Sequence, residues 1–457
     1  MMLTLSEIAH AVGGALHGNG DTVIHGVSTD SRRIGEGDIF IALRGERFDG
    51  HDFIPSLAGK CAAVITEEMV VGQDHILVSD TLVALGLLSA YWKKRVNPRF
   101  TVGVTGSVGK TTTKELIASV LKQKYKTHFT TGNLNNHVGV PITLIRIDQG
   151  CEAVVCEMGM SGKGEIEYLT GLVRPNLAVI TNIGTSHMEL LGSREGILEA
   201  KLEILAGMEK GSTIILDGDE PLLRSDKVKA MLEGYRVIYV GFHSGNDIYP
   251  LDIYKAADHL AFDVIASRRE FRVTVPAVGD HFIKNALFAV AVGLVSDLSE
   301  DHIQEGLLSY APTGLRQRIY EKGGIRVIAD CYNASPESME ASLNVLNLSE
   351  GRKIAVLGDM LELGHLAEAS HKKVGAKAFE IGTARLFTYG KASYHTMLGA
   401  LEAGMAKDAV SNSIDAQQLA EALKKSLLPG DTVLFKASRR MKLEDVMSLC
   451  GLGEEES

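Results

Sequence analysis

The residues with the clearest chemical potential run from Gly103 to Thr113 and read Gly-Val-Thr-Gly-Ser-Val-Gly-Lys-Thr-Thr-Thr. An apolar segment precedes them and a run of helical period follows, which is the context of a P-loop. In such a loop the backbone N–H groups bind phosphate oxygens, Lys110 reaches the outer phosphates, and the hydroxyl of Thr111 can ligate Mg²⁺. The sequence departs from the usual pattern at Val104, where the first glycine would fall. The order of these features predicts a nucleotide site rather than a flexible glycine turn.

A strand predicted at Ala153–Glu157 ends in a carboxylate that could complete the magnesium site. Carboxylate oxygens at the end of a strand beside a P-loop are common ligands of Mg²⁺. A solvent-exposed glutamate at the end of a strand is the competing interpretation. The pattern makes Glu157 a candidate metal ligand.

A helix predicted from Ser193 to Met208 places Lys201 inside its apolar stripe, which contains positions 197, 201, 204 and 208. Because an unpaired buried charge is costly, Lys201 must reach solvent, pair with an anion, shift its pKa or be modified. Reaction with CO₂ would give a carbamate anion that can bind a cation, and an amine that reaches solvent at the helix edge is an equally good interpretation. His187, which precedes this helix, is either a ligand or a structural histidine.

The elements that must position these residues alternate between apolar strands and stretches of helical period, which is typical of parallel α/β sheets. Breaks at Asn97-Pro98 and at 311–314 divide the chain. We therefore expect three domains, at 1–97, 98–312 and 313–457. The central domain is predicted to be a P-loop-containing parallel sheet and the C-terminal domain a Rossmann-like sheet, with the working loops at the carboxyl ends of the strands.

Length and composition agree with a multidomain globular protein. At roughly 150 residues per domain, 457 residues suffice for three, and 45% hydrophobic residues with only 10 Pro exclude a disordered chain. The net charge of -10 gives no general attraction for nucleic acid, so an anionic substrate must be bound locally. The five cysteines lack CxxC spacing, the first residues show no basic segment before an apolar core, and no run of 18 apolar residues occurs, so we expect neither a leader nor a membrane span. We expect a cytoplasmic protein without disulfides or zinc.

Taken together and in order, the motifs resemble those of the Mur ligases of peptidoglycan synthesis, over nearly the whole chain. The segments that carry the resemblance lie at 29–32, 43–51, 103–113, 132–141, 157–159, 182–189, 279–285, 330–336 and 357–364. Cys331 and Ser335 stand where the family more often has Ala and Asn, and Ala437 replaces the glycine of a Lys-Gly-Ser-Arg segment.

The resemblance implies an amide-forming ligase that converts ATP to ADP and phosphate. ATP would phosphorylate the terminal carboxylate of a UDP-N-acetylmuramoyl-tripeptide, and the amine of D-alanyl-D-alanine would attack the acyl phosphate. It further implies two Mg²⁺ ions and a CO₂-derived carbamate on Lys201. Because the ligands would come from three domains, we expect the domains to close on ATP binding, and we expect a monomer.

The resemblance also implies roles for individual residues. Thr111 and Glu157 would hold the first Mg²⁺, and His187 with carbamylated Lys201 the second. The catalytic candidates are Lys110, Glu157, His187 and Lys201. The ATP site would comprise Gly106, Ser107, Val108, Gly109, Lys110, Thr111, Thr112, Asn136, Asn285, Arg316, Asp330 and Asn333. The uridine nucleotide of the substrate would bind the first domain near Ser28, Thr29, Ser31 and Arg44.

Two other kinds of function are compatible with these residues. One is a related amide ligase, either the Mur enzyme that adds a single amino acid at position three or a relative of folylpolyglutamate synthetase. The other is a P-loop nucleotide-gated switch, which needs the P-loop and Glu157 but has no use for Lys201 on an apolar stripe.

Overall fold

The chain folds into three α/β units, each built on its own sheet. A computed structural model describes residues 2–45, 48–256, 258–312, 314 and 316–453. The predicted fold class, with a central P-loop-containing parallel sheet and a Rossmann-like C-terminal sheet, is confirmed. Thr313, at the second predicted boundary, lies outside the described residues.

The N-terminal unit packs helices against a small mixed sheet. Its elements are β1 (Leu3–Thr4), α1 (Leu5–Val12), β2 (Ala15–His17), β3 (Val23–Ile24), β4 (Gly26–Ser28), β5 (Asp38–Ile41), β6 (Ala63–Thr66), β7 (His75–Leu77) and α2 (Thr81–Val96), with a 3-10 segment at Gly50–Leu57. The strand order is β2-β7-β6-β5-β4, and β1 pairs with β3 separately. Trp92 of α2 is fully buried, and its Nε1 donates to the carbonyl of Ile147, which joins this unit to the next.

The central unit is a nine-stranded sheet covered by helices on both faces. Its elements are β8 (Phe100–Thr105), α3 (Lys110–Leu121), β9 (Thr127–Phe129), α4 (Gly139–Ile145), β10 (Ala153–Glu157), α5 (Glu165–Val173), β11 (Leu177–Ile180), α6 (Met188–Leu191), α7 (Arg194–Leu202), β12 (Thr213–Asp217), α8 (Asp226–Met231), β13 (Arg236–Val240), β14 (Ile248–Lys255), β15 (Leu260–Ala266), β16 (Arg269–Val275), α9 (His281–Val295) and α10 (Glu300–Leu308), with 3-10 segments at Glu203–Gly207 and Pro221–Arg224.

The order of the central strands is β16-β15-β14-β13-β12-β11-β8-β10-β9, with parallel pairing from β9 to β14 and antiparallel pairing of β15 with both β14 and β16. Helices α3, α9 and α10 bury one face, and α4, α5, α7 and α8 bury the other. Strand β8 therefore lies between β10 and β11. The loops that follow these three strands meet at one edge of the sheet, which is where a doubly wound sheet binds its ligands.

The C-terminal unit is a six-stranded sheet of order β17-β18-β22-β19-β20-β21, parallel except for β17. These labels denote β17 (Arg318–Lys322), β18 (Ile325–Asp330), β19 (Lys353–Gly358), β20 (Arg385–Tyr389), β21 (Val410–Ser413) and β22 (Thr432–Lys436). The helices are α11 (Pro336–Asn347), α12 (Ala367–Glu380), α13 (Tyr394–Ala403), α14 (Ala416–Ser426) and α15 (Leu443–Leu449), with 3-10 segments at Gly364–Leu366, Lys407–Ala409 and Arg439–Met441. Two apolar clusters fill its two faces.

The helix predicted from Ser193 to Met208 is shorter in the structure. Ser193 caps it, α7 ends at Leu202, and the chain continues as a tighter 3-10 segment. The cause is close packing on α5. A Cβ at Gly207 would lie 2.2 Å from the carbonyl oxygen of Thr170, whose hydroxyl donates to the carbonyl of Ile204 at 2.9 Å. The predicted apolar stripe is still present, because residues 197, 201, 204 and 208 are all buried.

Among the described residues there is neither a membrane-spanning helix nor a disulfide. None of the helices found there has both the length and the apolar character that crossing a bilayer requires. The five cysteines all lie in the described part of the chain, and none forms a disulfide.

The close crossing of α10 over α3 generates a stability prediction. A Cβ on Gly306 would lie 2.4 Å from the Cα of Val120, so Gly306→Ala must push two helices apart. We expect a loss of about 1–3 kcal/mol, seen by calorimetry as a lower Tm. Gly171→Ala is the matched control, because an added Cβ there meets nothing within 4 Å, and helix propensity should stabilise it by up to about 1 kcal/mol. Equal Tm shifts in the two variants would contradict the prediction.

Candidate functional site

The loop between β8 and α3 adopts a conformation that only glycine accommodates at two positions. Gly106 has φ 142° and Gly109 has φ 82°. A Cβ at Gly106 would lie 2.0 Å from Oγ1 of Thr181, and one at Gly109 would lie 2.8 Å from Oδ1 of Asn285. The loop therefore turns directly into the N-terminus of α3, where free N–H groups and the helix dipole favour phosphate.

The strand next to β8 holds this loop in place. Past the end of β11, the Asn182 side chain accepts from the N–H of Val108 at 3.0 Å, and the Thr181 hydroxyl donates to the carbonyl of Val108 at 2.6 Å. Asn182 also accepts from the N–H of Ser107 through its carbonyl, at 3.2 Å. The segment that begins at Asn182 carries part of the family resemblance, but its local pattern does not predict this contact. Its contribution to the loop depends on strand order, which no local pattern reveals.

Glu157 lies where the sequence reasoning placed it, at the end of β10 and beside Thr111. Its Oε2 accepts from the Thr111 hydroxyl at 2.8 Å, and its Oε1 accepts from the side-chain amide of Asn135 at 2.8 Å. The carboxylate is 1% exposed. A hydroxyl and a carboxylate are the hard oxygen donors that Mg²⁺ prefers, so this pair fits that ion. No cluster of three His, Cys, Asp or Glu occurs among the described residues, so a cation here would share its shell with phosphate oxygens or water.

The asparagine-rich segment brings Asn135, which was not predicted, to the carboxylate of Glu157. The side chain of Asn136, predicted to bind ATP, accepts from the N–H groups of Val138 and Gly139, and so supports the first turn of α4. Its neighbour Asn135 is the residue that meets Glu157. Two adjacent asparagines in a turn look alike in sequence, and only the fold tells which one faces the carboxylate.

Two lysines of α3 lie near this carboxylate, Lys110 partly buried and Lys114 fully buried. Lys110 donates to the carbonyls of Gly106 and Ser107, at 2.8 and 3.0 Å, and burial lowers its pKa. Lys114, which the sequence reasoning missed, is fully buried and donates to the carbonyl of Thr130 at 2.8 Å; burial lowers its pKa too. The sequence does contain a pattern that indicates Lys114, because this residue lies one helical turn after Lys110 of the P-loop. The site is therefore rich in cations that have little access to water.

Lys201 is buried together with its amine, which excludes the interpretation that it reaches solvent. The side chain is 1% exposed, and its Nζ has no hydrogen-bond partner among the described residues. Burial, reinforced by the Lys110 ammonium, holds its pKa well below the ordinary value for lysine. A neutral amine is the form that reacts with CO₂, so this environment fits carbamylation.

His187 lies in the seam between the central and C-terminal units. It precedes α6 with φ 64°, and its Nδ1 is 2.8 Å from Oε2 of Glu362, in a contact too misaligned for a good hydrogen bond. In the same seam, Glu337 of α11 accepts from the N–H and the hydroxyl of Thr185, at 3.0 and 2.9 Å. The sequence reasoning missed both glutamates, since each acts on a residue more than 150 positions away in the chain.

The remaining residues predicted to bind the nucleotide come from three elements around the loop. Asn285 of α9 accepts from the Thr113 hydroxyl at 3.2 Å, and Arg316 stacks on the ring of Tyr332. Thr112, in the first turn of α3, forms a side-chain hydrogen bond with Tyr310.

Two further predicted residues follow β18 in the C-terminal unit. Asp330 accepts from the Lys436 ammonium and the Ser342 hydroxyl, each at 2.6 Å. Burial opposes the charge of Asp330, yet Lys436 and Ser342 hold its pKa below the ordinary value. Asn333 is exposed and caps its own turn through the N–H of Ala334. Asp330 also lies within electrostatic reach of His281, at the start of α9 in the central unit.

The residues predicted to bind the uridine nucleotide divide into two groups. Ser28 and Thr29 line a cavity of about 440 Å³ between the N-terminal sheet and α4, together with Arg146, which the sequence reasoning missed. Ser31 and Arg44 are not among its lining residues. Arg44 forms ion pairs with Asp49, Glu67 and Glu68.

Comparison with known proteins assigns each unit of the fold to one family. Family sequence models match residues 23–90 (Mur ligase family, catalytic domain), 104–293 (Mur ligase middle domain) and 316–439 (Mur ligase, glutamate ligase domain). The UDP-N-acetylmuramoyl-tripeptide–D-alanyl-D-alanine ligase of Bacillus subtilis is 42% identical over 454 residues, covering 97% of each chain.

Two solved structures share the architecture. A crystal structure of MurF from Acinetobacter baumannii superposes with a TM-score of 0.91 at 30% identity, covering 98% of this chain and 99% of that one. MurF from Thermotoga maritima, in complex with ADP, has a TM-score of 0.81 at 30% identity, covering 93% of this chain and 96% of that one.

The contact between Thr111 and Glu157 generates a prediction about nucleotide binding. Thr111→Ala removes one oxygen donor from the proposed Mg²⁺ site, so we expect the affinity for Mg²⁺-ADP to fall at least tenfold. Affinity for ADP in excess EDTA should change less than twofold, because the loop amides remain. Titration calorimetry under both conditions measures the difference. An equal change with and without Mg²⁺ would place the hydroxyl outside the metal site.

Proposed function

This chain belongs to the Mur ligase family, and we propose that it joins D-alanyl-D-alanine to a UDP-N-acetylmuramoyl-tripeptide in peptidoglycan precursor synthesis. The observation that carries this proposal is the similarity, along nearly the full length of both chains, to the Bacillus subtilis ligase of that name. The site geometry supports it, because a P-loop, a buried acidic partner and a buried lysine that has no hydrogen-bond partner among the described residues occur in one chain.

The proposed reaction has to bring two anions together. A carboxylate oxygen of the tripeptide attacks the γ-phosphorus of ATP, which breaks the bond to ADP and forms an acyl phosphate. The neutral amine of the dipeptide then attacks the acyl carbon, phosphate leaves, and the amine loses a proton as the amide forms. Two unit charges 4 Å apart repel by about 4 kcal/mol at an effective dielectric constant near 20. The site must therefore supply cations where carboxylate and phosphate meet.

The residues on the P-loop side can do this. The amides of Gly106–Gly109 and the ammonium of Lys110 would bind the phosphates, with Lys110 exchanging its contacts to loop carbonyls for phosphate oxygens. Thr111 and Glu157 would hold one Mg²⁺, with Asn135 fixing the direction of the carboxylate. When bound, the two ions offset negative charge and orient the reacting oxygens.

We infer that Lys201 carries a carbamate and, with His187, holds the second Mg²⁺. Its neutral amine would add to CO₂ and release one proton, which converts a buried group without a partner into an anion. This resolves a conflict that burial creates, because a lone buried ammonium next to Lys110 is unfavourable. The burial of Nζ without a hydrogen-bond partner in the described part of the chain supports this inference.

The other assignments follow the positions of the residues around the loop. Asn285 would contact adenine and Arg316 a phosphate, while Asp330 and Asn333 would lie on the ribose side. The uridine nucleotide would occupy the cavity lined by Ser28 and Thr29.

Closure of the C-terminal unit over this site would exclude water from the acyl phosphate, which hydrolyses readily. The contacts of Glu337 with Thr185 support closure at this seam, since they join the two units beside the P-loop.

A substrate profile tests the proposed function. The purified chain, supplied with Mg²⁺-ATP, should release phosphate only when both the tripeptide nucleotide and D-alanyl-D-alanine are present. A P-loop switch would instead hydrolyse ATP slowly without either substrate. A single amino acid should be a poorer acceptor than the dipeptide by at least a hundredfold in kcat/KM. Better use of a single amino acid would overturn the assignment in favour of another ligase.

Replacement of Lys201 tests the carbamate. Lys201→Ala should lose more than a thousandfold in kcat, and short carboxylic acids should partly restore it by replacing the carbamate. Lys201→Met keeps the volume and removes the buried amine, so it should be inactive yet unfold at an equal or higher Tm. Carbon-13 NMR after exchange with labelled bicarbonate should show a carbamate signal in the parent chain alone. Full activity of either plain variant would remove Lys201 from the mechanism.

A further inference from the structure

Lys114 of α3 is completely buried, and the proposed reaction gives it no role. Its Nζ donates to the carbonyl of Thr130 at 2.8 Å and lies 3.5 Å from Oε1 of Glu115. Burying an ammonium is costly, so anions must lie close enough to compensate for the lost hydration. The anions around Lys114 therefore indicate what this residue does.

Glu157 is the anion with the largest effect on Lys114. Burial lowers the pKa of Lys114, and Glu157 opposes that shift more strongly than Glu115 does. The two side chains also share a support in Thr130, which is fully buried. The carbonyl of Thr130 accepts from Lys114, and its hydroxyl accepts from the backbone N–H of Glu157 at 3.1 Å. Lys114 is thus coupled to Glu157 both by charge and through one buried residue.

Lys110 is a second cation near Glu157, but its situation differs. Glu157 raises the pKa of Lys110 against the effect of burial, as it does for Lys114. Lys110 is partly exposed and contacts carbonyls of the loop, from which it would turn to phosphate in the proposed reaction. Lys114 lies one helical turn deeper and is held by Thr130. Its charge therefore stays beside Glu157 whether or not a nucleotide is bound.

We propose that Lys114 is a built-in counter-ion of Glu157, which balances the carboxylate before metal binds and keeps Mg²⁺ from binding tightly until a nucleotide is present. An ammonium and a divalent cation beside one carboxylate repel each other, so Lys114 weakens binding of Mg²⁺ alone. The phosphates of a nucleotide add the negative charge that offsets this repulsion. Mg²⁺ would thus enter the site together with its nucleotide.

This role is one of positioning and charge balance rather than catalysis, because Lys114 acts through Glu157 and is too deeply buried to touch a substrate. The proposal rests on the proposed function, since it concerns the first Mg²⁺ of that reaction. A merely structural lysine would have the opposite effect on the metal. Its loss would disturb Glu157 and weaken Mg²⁺ binding, whereas loss of a counter-ion strengthens it.

Glutamine variants separate the charge of Lys114 from its hydrogen bond. Lys114→Gln removes the charge and keeps an N–H donor. The matched control is Lys122→Gln, at the other end of α3. The Nζ atoms of Lys114 and Lys122 lie 5.6 and 4.3 Å from the centroid of the same Phe129 ring, but Lys122 is exposed.

Titration calorimetry with Mg²⁺ alone gives the first readout. Lys114→Gln should bind Mg²⁺ at least fivefold more tightly than the parent chain, and Lys122→Gln should stay within twofold of it. In excess EDTA the affinity of Lys114→Gln for ADP should not rise, since the gain concerns the metal only. Unchanged or weaker binding of Mg²⁺ by Lys114→Gln would overturn the proposal.

A double-mutant cycle in metal-free buffer gives a second readout that needs no ligand. Lys114→Met should lower the Tm of the parent chain, because Glu157 then lacks its counter-ion. The loss should be at least halved in a Glu157→Gln background, where the neutral amide needs none. Equal losses of Tm in the two backgrounds would overturn the coupling.

Neither measurement uses the tripeptide or the dipeptide, so the two levels of the argument fail separately. A parent chain that does not ligate these substrates would overturn the proposed function and leave the Lys114 result standing. A parent chain whose affinity for ADP does not depend on Mg²⁺ would overturn the proposed metal site and the counter-ion role together.

Discussion

The carboxylate of Glu157 joins segments that are distant in sequence, and the arrangement of the nucleotide end of the site depends on it. One oxygen accepts from Thr111 on α3 and the other from Asn135 in the loop before α4, while the backbone N–H of Glu157 donates to the hydroxyl of Thr130. A buried carboxylate is stable only when its oxygens are bonded. Each oxygen has lone pairs to spare, so the same bonds that stabilise the carboxylate leave it able to bind a cation.

Three lysines lie around the same edge of the sheet, Lys114 and Lys201 fully buried and Lys110 partly buried. The free-energy cost of burying their charges is matched by the anions that the site is proposed to bind. Burial lowers the pKa of Lys110, Lys114 and Lys201. Lys114 offsets that cost through the carbonyl of Thr130, and Lys110 through two loop carbonyls, whereas Lys201 has no partner among the described residues. A bound triphosphate would raise the pKa of Lys110, because a nearby anion favours the charged ammonium. Lys201 has no such partner among the described residues, and the proposed carbamate would resolve that conflict.

The seam between the central and C-terminal units adds polar side-chain contacts that the P-loop does not make. Thr185 and His187 follow β11 in the central sheet, and each meets a glutamate of the C-terminal unit. The seam lies at the carboxyl edges of the two parallel sheets, where backbone groups and loops are free to bind ligands. In the proposed reaction, which brings three substrates together, loops from two sheet edges would surround them at this junction.

The sequence by itself determined the nucleotide end of the site and the class of fold. Three features of the site are local patterns: glycines, lysine and threonine at P-loop spacing, a strand that ends in Glu157, and a lysine on an apolar stripe. Each forms within one element, so the local backbone geometry is enough to produce it. The tertiary structure alone decided which of Asn135 and Asn136 faces the carboxylate, that α7 ends at Leu202, and that Glu337 and Glu362 reach the central unit. These outcomes depend on packing between elements far apart in the chain, such as the close contact of Gly207 with Thr170. A periodic pattern describes one element at a time, so it contains no information on which distant side chain will fill the remaining space or satisfy a buried charge.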